Sequence, residues 1–399
     1  MKHNNYKTRA GRRARSRLAR VLTLLALLLA ATGAWAQDDP TYNVRLKAGT
    51  KDAANWTITP DEATTTGVPA ETAVTLKYGG RMKVKGVTAR TYDPLETPLT
   101  LEALTARTIM VTTPKVGMKY KKNNGALSTL NSTDDVTIDV QEGDKVEFYG
   151  NGTSITSYNG TYIAGGTAEV KVYGNIMSLV NEQNYPTAKE LTEQYALCGL
   201  FGNNTTLKDA SGLLLPATTL ADECYGYLFG DCTALTAAPE LPATTLAKGC
   251  YTSMFKDCTA LTAAPKVLPA KTLAAYCCHQ MFQGCVKLTK APELPATTLA
   301  PNCYNRMFKD CIELTTSPVL RATMLASSCY AEMFIGCSKL NTVICLATDV
   351  SADNCFSCWL YNIPSVGTLY VSADLASDDV PKMLDGSGWA VRVYVAPDD

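Results

Sequence analysis

The sequence predicts a multidomain chain in which all-β modules precede an α/β solenoid of about seven coils of 26 residues. Three observations predict it. Cysteine is absent from residues 41–175, while all fifteen cysteines lie between residues 198 and 358. A cysteine, phenylalanine, cysteine, leucine pattern recurs through the second region at intervals of 26 or 27 residues, and such a period marks a stacked repeat. The first region carries short alternating apolar runs between glycine, asparagine and aspartate turns, which is how strands read in sequence.

Residues 1–36 are expected to be an export signal. They hold eight Lys and Arg residues and no acid, then the apolar run Val21–Ala31, then Ala34-Trp35-Ala36 before Gln37. That order predicts cleavage between Ala36 and Gln37. The run is shorter than the ~20 residues that span a bilayer, and no second long apolar run follows, so no membrane span is expected in the mature chain. Without these residues, 29 basic side chains face 37 acidic ones. An acidic surface excludes nucleic acid as a partner. Beyond His3 the only histidine is His279, which removes histidine-dependent triads and histidine-rich metal sites. The expected protein is exported, at the cell surface or extracellular, and not an enzyme.

Residues 37–95 and 96–175 are expected to be two small β modules, the second sandwich-like. In the first, Thr72–Tyr78 and Met82–Val87 flank Gly79-Gly80 as a hairpin would. In the second, Asn123-Asn124-Gly125 marks a turn, Val136–Val140 and Lys145–Tyr149 flank Glu142-Gly143-Asp144, and Ala168–Tyr173 closes the set. The solenoid is expected over 176–365 and a C-terminal cap over 366–399.

Within the repeat, Cys224, Cys250, Cys277, Cys303 and Cys329 form one column and Phe229, Phe255, Phe282, Phe308 and Phe334 a second. Cys232, Cys258, Cys285, Cys311 and Cys337 form a third, and Leu235, Leu261, Leu288, Leu314 and Leu340 a fourth. Degenerate copies flank them around Ala196–Phe201 and Cys355–Ile363. Leu246, Cys250, Met254 and Cys258 share one helical face, with Thr244 or Thr245 as its N-cap, and Leu261 to Leu268 fits a short strand. One such unit cannot cover its own apolar face; stacked copies can.

The Leu-Pro-Ala-Thr-Thr-Leu-Ala…Cys-Tyr-x-x-Met-Phe-x-x-Cys-x-x-Leu unit, over about residues 187–370, resembles the BspA-type leucine-rich repeats of bacterial surface proteins. The resemblance implies a leucine-rich-repeat solenoid, export to the cell surface, and adhesion or host-protein binding, with no catalytic residues and no cofactor. This chain departs from the common form in its longer coils and in cysteine where an aliphatic residue is usual.

Three other features bear on function. Leu215-Pro-Ala-Thr-Thr219 and its copies look like a sorting motif but lack glycine at the fifth position, so they read as repeat structure. The cysteine columns read as buried thiols, since free cysteine packs as a small hydrophobe. Disulfides between coils stay open as an alternative; zinc is disfavoured by the eight-residue spacing. Cys278, Cys345 and Cys358 lie outside the columns and are the expected reactive thiols. His279 sits in a variable column and is expected at the surface. The aromatic column Tyr225, Tyr251, Tyr304, Tyr330 and Phe356 reads either as packing between coils or as an exposed interaction stripe. Columns that vary between copies should lie outside the core, which makes Lys256, Lys287, Lys309 and Glu313 the candidate binding face. The expected partner is a protein on a host or neighbouring cell, with a glycan held by the β modules as the alternative.

Overall fold

The computed structural model describes residues 94–150, 160–180, 182–384 and 386–396, together with four short strands nearer the N-terminus. The chain divides into two compact units, Met1–Asp93 and Pro94–Asp399. In the first, β1 (Thr41–Tyr42) pairs with β3 (Val68–Pro69) and β2 (Trp56–Thr59) with β4 (Thr75–Tyr78), both antiparallel. The expected export segment, its Ala36–Gln37 junction and the partner run Met82–Val87 lie outside the described residues.

The second unit opens with the strands β5 (Leu99–Ala103), β6 (Arg107–Val111), β7 (Lys119–Lys122), β8 (Ser128–Thr129), β9 (Val136–Val140), β10 (Lys145–Tyr149) and β11 (Val170–Asn175). Alternation in β9 and β10 points every second side chain inward, burying Ile138, Val140, Val146 and Phe148. The turn at Gly143, where φ is +82°, does not fold β9 back onto β10. It sends them to different sheets: β9 pairs with β6, and β10 joins β5 and β7. The two sheets share one core, in which Leu101, Ile109 and Val170 line a common void.

No break in the core follows Asn175. Strand β11 pairs antiparallel with β5 and parallel with β12 (Leu207–Leu214), so the sandwich's six-stranded sheet runs directly into the repeat. At the other end, β13 (Thr316–Leu320), β14 (Thr342–Cys345), β15 (Thr368–Val371) and β16 (Ala390–Val393) form a four-stranded parallel sheet. Isolated parallel bridges join the coils along the flanks, among them Asp209 to Ala237 and Ala237 to Ala263.

The fold class expected from the sequence needs correction. The described residues are mostly strand and turn, with one short α-helix, Val380–Leu384, which lies outside the repeat. The coils are therefore not the α/β units of the expected leucine-rich-repeat solenoid. A helix over Leu246–Cys258 would send its N–H groups to carbonyls of its own coil. Here alternate residues do otherwise. Glu223, Tyr225, Tyr227, Phe229 and Asp231 donate to Lys248, Cys250, Thr252, Met254 and Lys256 of the next coil, at 2.7–3.0 Å. The residues between them, from Cys224 to Cys232, close tight turns onto carbonyls three positions back.

That alternation requires a left-handed residue at every fourth position. Three such columns run through the stack, represented in one coil by Glu223, Tyr227 and Asp231, with φ of +56°, +55° and +57°. The third column reads Asn203, Asp231, Asp257, Gly284, Asp310, Gly336 and Asn362. These are the three residue types that enter the left-handed region most readily. The spacing Cys250, Met254, Cys258 survives the correction because a four-residue turn unit also returns every fourth side chain to one face. Thr244 and Thr245 cap no helix; their N–H groups bond to the Thr218 carbonyl of the preceding coil.

The core of the stack is a set of side-chain ladders. Phe201, Phe229, Phe255, Phe282, Phe308 and Phe334 stack ring on ring at 5.4–5.8 Å, with interplanar angles of 4–10°. Such offset rings add about 0.5–1.5 kcal/mol each beyond area burial. Trp359 closes the ladder against Phe334 and donates its indole N–H to the Met383 carbonyl at 2.7 Å, tying the last coil to the short helix.

Candidate functional site

The tyrosine column resolves into packing. Tyr225 and Tyr251 stack at 6.1 Å, Tyr304 and Tyr330 at 6.2 Å, and all four are buried, so no tyrosine stripe is exposed there. Cys278 occupies the same column in the coil between Tyr251 and Tyr304.

All fifteen cysteines are free thiols. In the second cysteine column each Sγ–H meets the carbonyl of a phenylalanine in the coil before it. Cys258 donates to Phe229 and Cys285 to Phe255, both at 3.1 Å. An aliphatic side chain fills that volume but cannot make this weak bond, a physical reason for cysteine at this place. Burial raises the thiol pKa of Cys224 in the first column and of Cys337 in the second to about 12. Cys278 and Cys345, expected to be reactive, are 1% and 0% exposed, and burial pushes the Cys345 thiol to about 12. Of the three expected reactive thiols, Cys358 alone is exposed. His279, expected at the surface, is half-buried. Burial and the nearby Arg306 charge lower its pKa, and its Nδ1 lies buried with no partner. Among the described residues no group of three or more His, Cys, Asp or Glu side chains could hold a metal ion.

The four residues of the candidate binding face fall into two neighbouring columns. Lys256 and Lys309 precede the third left-handed column; Lys287 and Glu313 follow the second cysteine column by two residues. Three of them are held by ion pairs: Lys256 to Asp257 at 2.7 Å, Lys309 to Glu332 at 3.7 Å, and Glu313 to Lys339 of the next coil at 2.7 Å. Lys287 is exposed. Arg306 adds a two-pronged contact to Glu332, at 2.7 and 2.9 Å. Exposed pairs of this kind add at most about 1 kcal/mol to stability. What the Arg306, Lys309 and Glu313 pairs fix is position, one charge above another from coil to coil.

No protein-family model, curated protein or solved structure matches the chain.

Sequence reasoning missed a concavity of about 410 Å³ at the junction of the sandwich and the first coils. Its walls include Tyr162 of the sandwich with Tyr195, Cys198, Glu223 and Tyr227 of the stack. Burial, together with the Glu223 charge, raises the Cys198 thiol to about 11; burial likewise raises the Glu223 carboxyl pKa. The available signal was glycine at positions 226 and 249, where later coils carry Thr252 or Tyr276. No helix among the described residues is long and apolar enough to cross a membrane.

Proposed function

We propose that the protein is exported, is not an enzyme, and binds proteins at the bacterial cell surface in adhesion or host interaction. The observation that supports this reading is that Lys256 with Lys309, and Lys287 with Glu313, fall in two neighbouring columns, with Lys309 and Glu313 ion-paired to the following coil. A single coil offers too little area to hold a partner. Several coils together offer the ~800 Å² per partner of a standard interface. The BspA-type resemblance of the repeat unit points the same way.

The test is adherence of beads coated with the purified chain to cultured epithelial cells. Binding is expected to vanish after protease treatment of the cells and to survive glycosidase treatment. It is also expected to fall several-fold in the combined Lys256→Ala, Lys287→Ala, Lys309→Ala, Glu313→Ala variant at unchanged melting temperature. Loss on glycosidase treatment, with full binding by the quadruple variant, would refute this reading and return the ligand to the glycan class.

A further inference from the structure

We propose that the junction cleft is a recognition site for a cationic side chain, the ammonium or guanidinium of a basic peptide segment. The cleft exists because the repeat gives way to glycine at this end. The Tyr162 ring lies against Gly199, so a Cβ there would sit 3.1 Å from it. The Tyr227 ring lies across Gly202 and Gly230, where a Cβ would approach to 3.0 and 2.3 Å. The Glu223 carboxylate lies over Gly249, in space that a Cβ would enter at 2.2 Å. Coils nearer the C-terminus carry Tyr276, Asn302 or Ser328 at the Gly249 position.

Three hydroxyls of the cleft are spent inside the protein. Thr252 donates its hydroxyl to the Tyr276 carbonyl at 2.9 Å, Ser253 bonds to Gln280 at 3.3 Å, and Tyr227 donates its hydroxyl to Asp231. The Glu223 carboxylate makes no side-chain hydrogen bond and no ion pair within 4.0 Å among the described residues, with the Lys248 charge acting on it only from a distance, whereas Asp257, Glu313 and Glu332 on the stack each hold a cation. A half-buried carboxylate that accepts no hydrogen bond, set among tyrosine rings, complements a cation: the charge pairs with Glu223 and the rings attract it through their quadrupoles. A neutral glycan would need several convergent hydrogen-bonding groups, and the hydroxyls of Tyr227, Thr252 and Ser253 are already engaged. This inference does not rest on the charged columns and can fail without them.

The experiment measures fluorescence anisotropy of labelled tetra-arginine amide with the full chain, beside tetra-glutamate and labelled maltotetraose. Tetra-arginine is expected to bind, and to weaken with added salt. Glu223→Gln, close in shape, is expected to weaken it about tenfold or more without lowering the melting temperature. Gly226→Thr, which installs the residue found one coil later and keeps the charge, is expected to block the cleft and abolish binding. Glu293→Gln, an exposed carboxylate elsewhere on the repeat, is expected to leave affinity unchanged. Equal tetra-arginine binding by wild type, Glu223→Gln and Gly226→Thr would overturn the proposal. So would maltotetraose binding that Gly226→Thr abolishes.

Discussion

The sharpest test of the coil architecture is Ser328→Gly, because the turn stack and a helix predict opposite signs. Ser328 has φ of +53° and its N–H donates to the Asp353 carbonyl of the next coil at 2.9 Å. An L-residue in the left-handed region costs about 1–2 kcal/mol. Glycine escapes that cost but loses about 0.5–1 kcal/mol more chain entropy on folding. The difference leaves Ser328→Gly more stable by ~0.5–1 kcal/mol. Inside a helix the same change would be destabilising by about 0.5 kcal/mol. Urea unfolding followed by fluorescence reads the difference directly. With a slope of about 3 kcal/mol/M, the midpoint should rise by roughly 0.2–0.3 M. Ser328→Val, a β-branched residue forced to the same dihedral, should lower it by ~0.7 M or more, for a cost above ~2 kcal/mol. A midpoint that falls for glycine and barely moves for valine would refute the assignment of left-handed turns.

Four further outcomes follow from the packing and the charges. Phe308→Ala removes a ring stacked on both sides, at 5.8 Å from Phe282 and from Phe334, and should cost about 3–5 kcal/mol in the same titration. Lys287→Ala should stay within about 0.5 kcal/mol. A maleimide reagent should label Cys358 promptly in the native protein, Cys198 slowly, and all fifteen thiols only in denaturant; prompt labelling of Cys278 or Cys345 would contradict the burial described. Because burial raises the Glu223 pKa, its ionised form weakens folding, and the cost appears as pH rises through that raised value. Glu223→Gln should therefore melt at or above wild type at pH 7 and match it at pH 4, and a lower melting temperature at pH 7 would assign Glu223 a stabilising role.

Much of the fold was legible in the sequence because burial leaves a periodic trace. The runs Val136–Val140 and Lys145–Tyr149 are strands with those bounds, and every residue of the phenylalanine and first cysteine columns is buried. The helix was misread because Leu246, Cys250, Met254 and Cys258 fit a four-residue turn unit as well as a 3.6-residue helix. The arbiter is the column Asp257, Gly284, Asp310, Gly336. It varies only among residues that tolerate positive φ. The Tyr227 column carries no such trace: Arg306 and Glu332 hold φ of +57° and +54° because their N–H groups bond to the next coil. The exposure of Lys287 could be read because variability marks the outside of a stack. The junction cleft could not, since it depends on Tyr162 reaching the first coil from the sandwich, a contact no local pattern encodes.

The direction of the backbone bonds between coils has a mechanical consequence. The N–H groups of Glu223, Tyr225, Tyr227, Phe229 and Asp231 all reach toward the following coil, as do their counterparts in later coils, so these bonds lie along the stack's axis rather than across it. Tension applied along that axis loads them as a zipper, one row at a time, not in parallel shear. A coil that lets go releases its 26 or so residues, roughly 90 Å of extended chain, while its neighbours keep their own ring and thiol contacts. Under load the stack would lengthen in steps and dissipate work, a spring whose travel is set by the number of repeats.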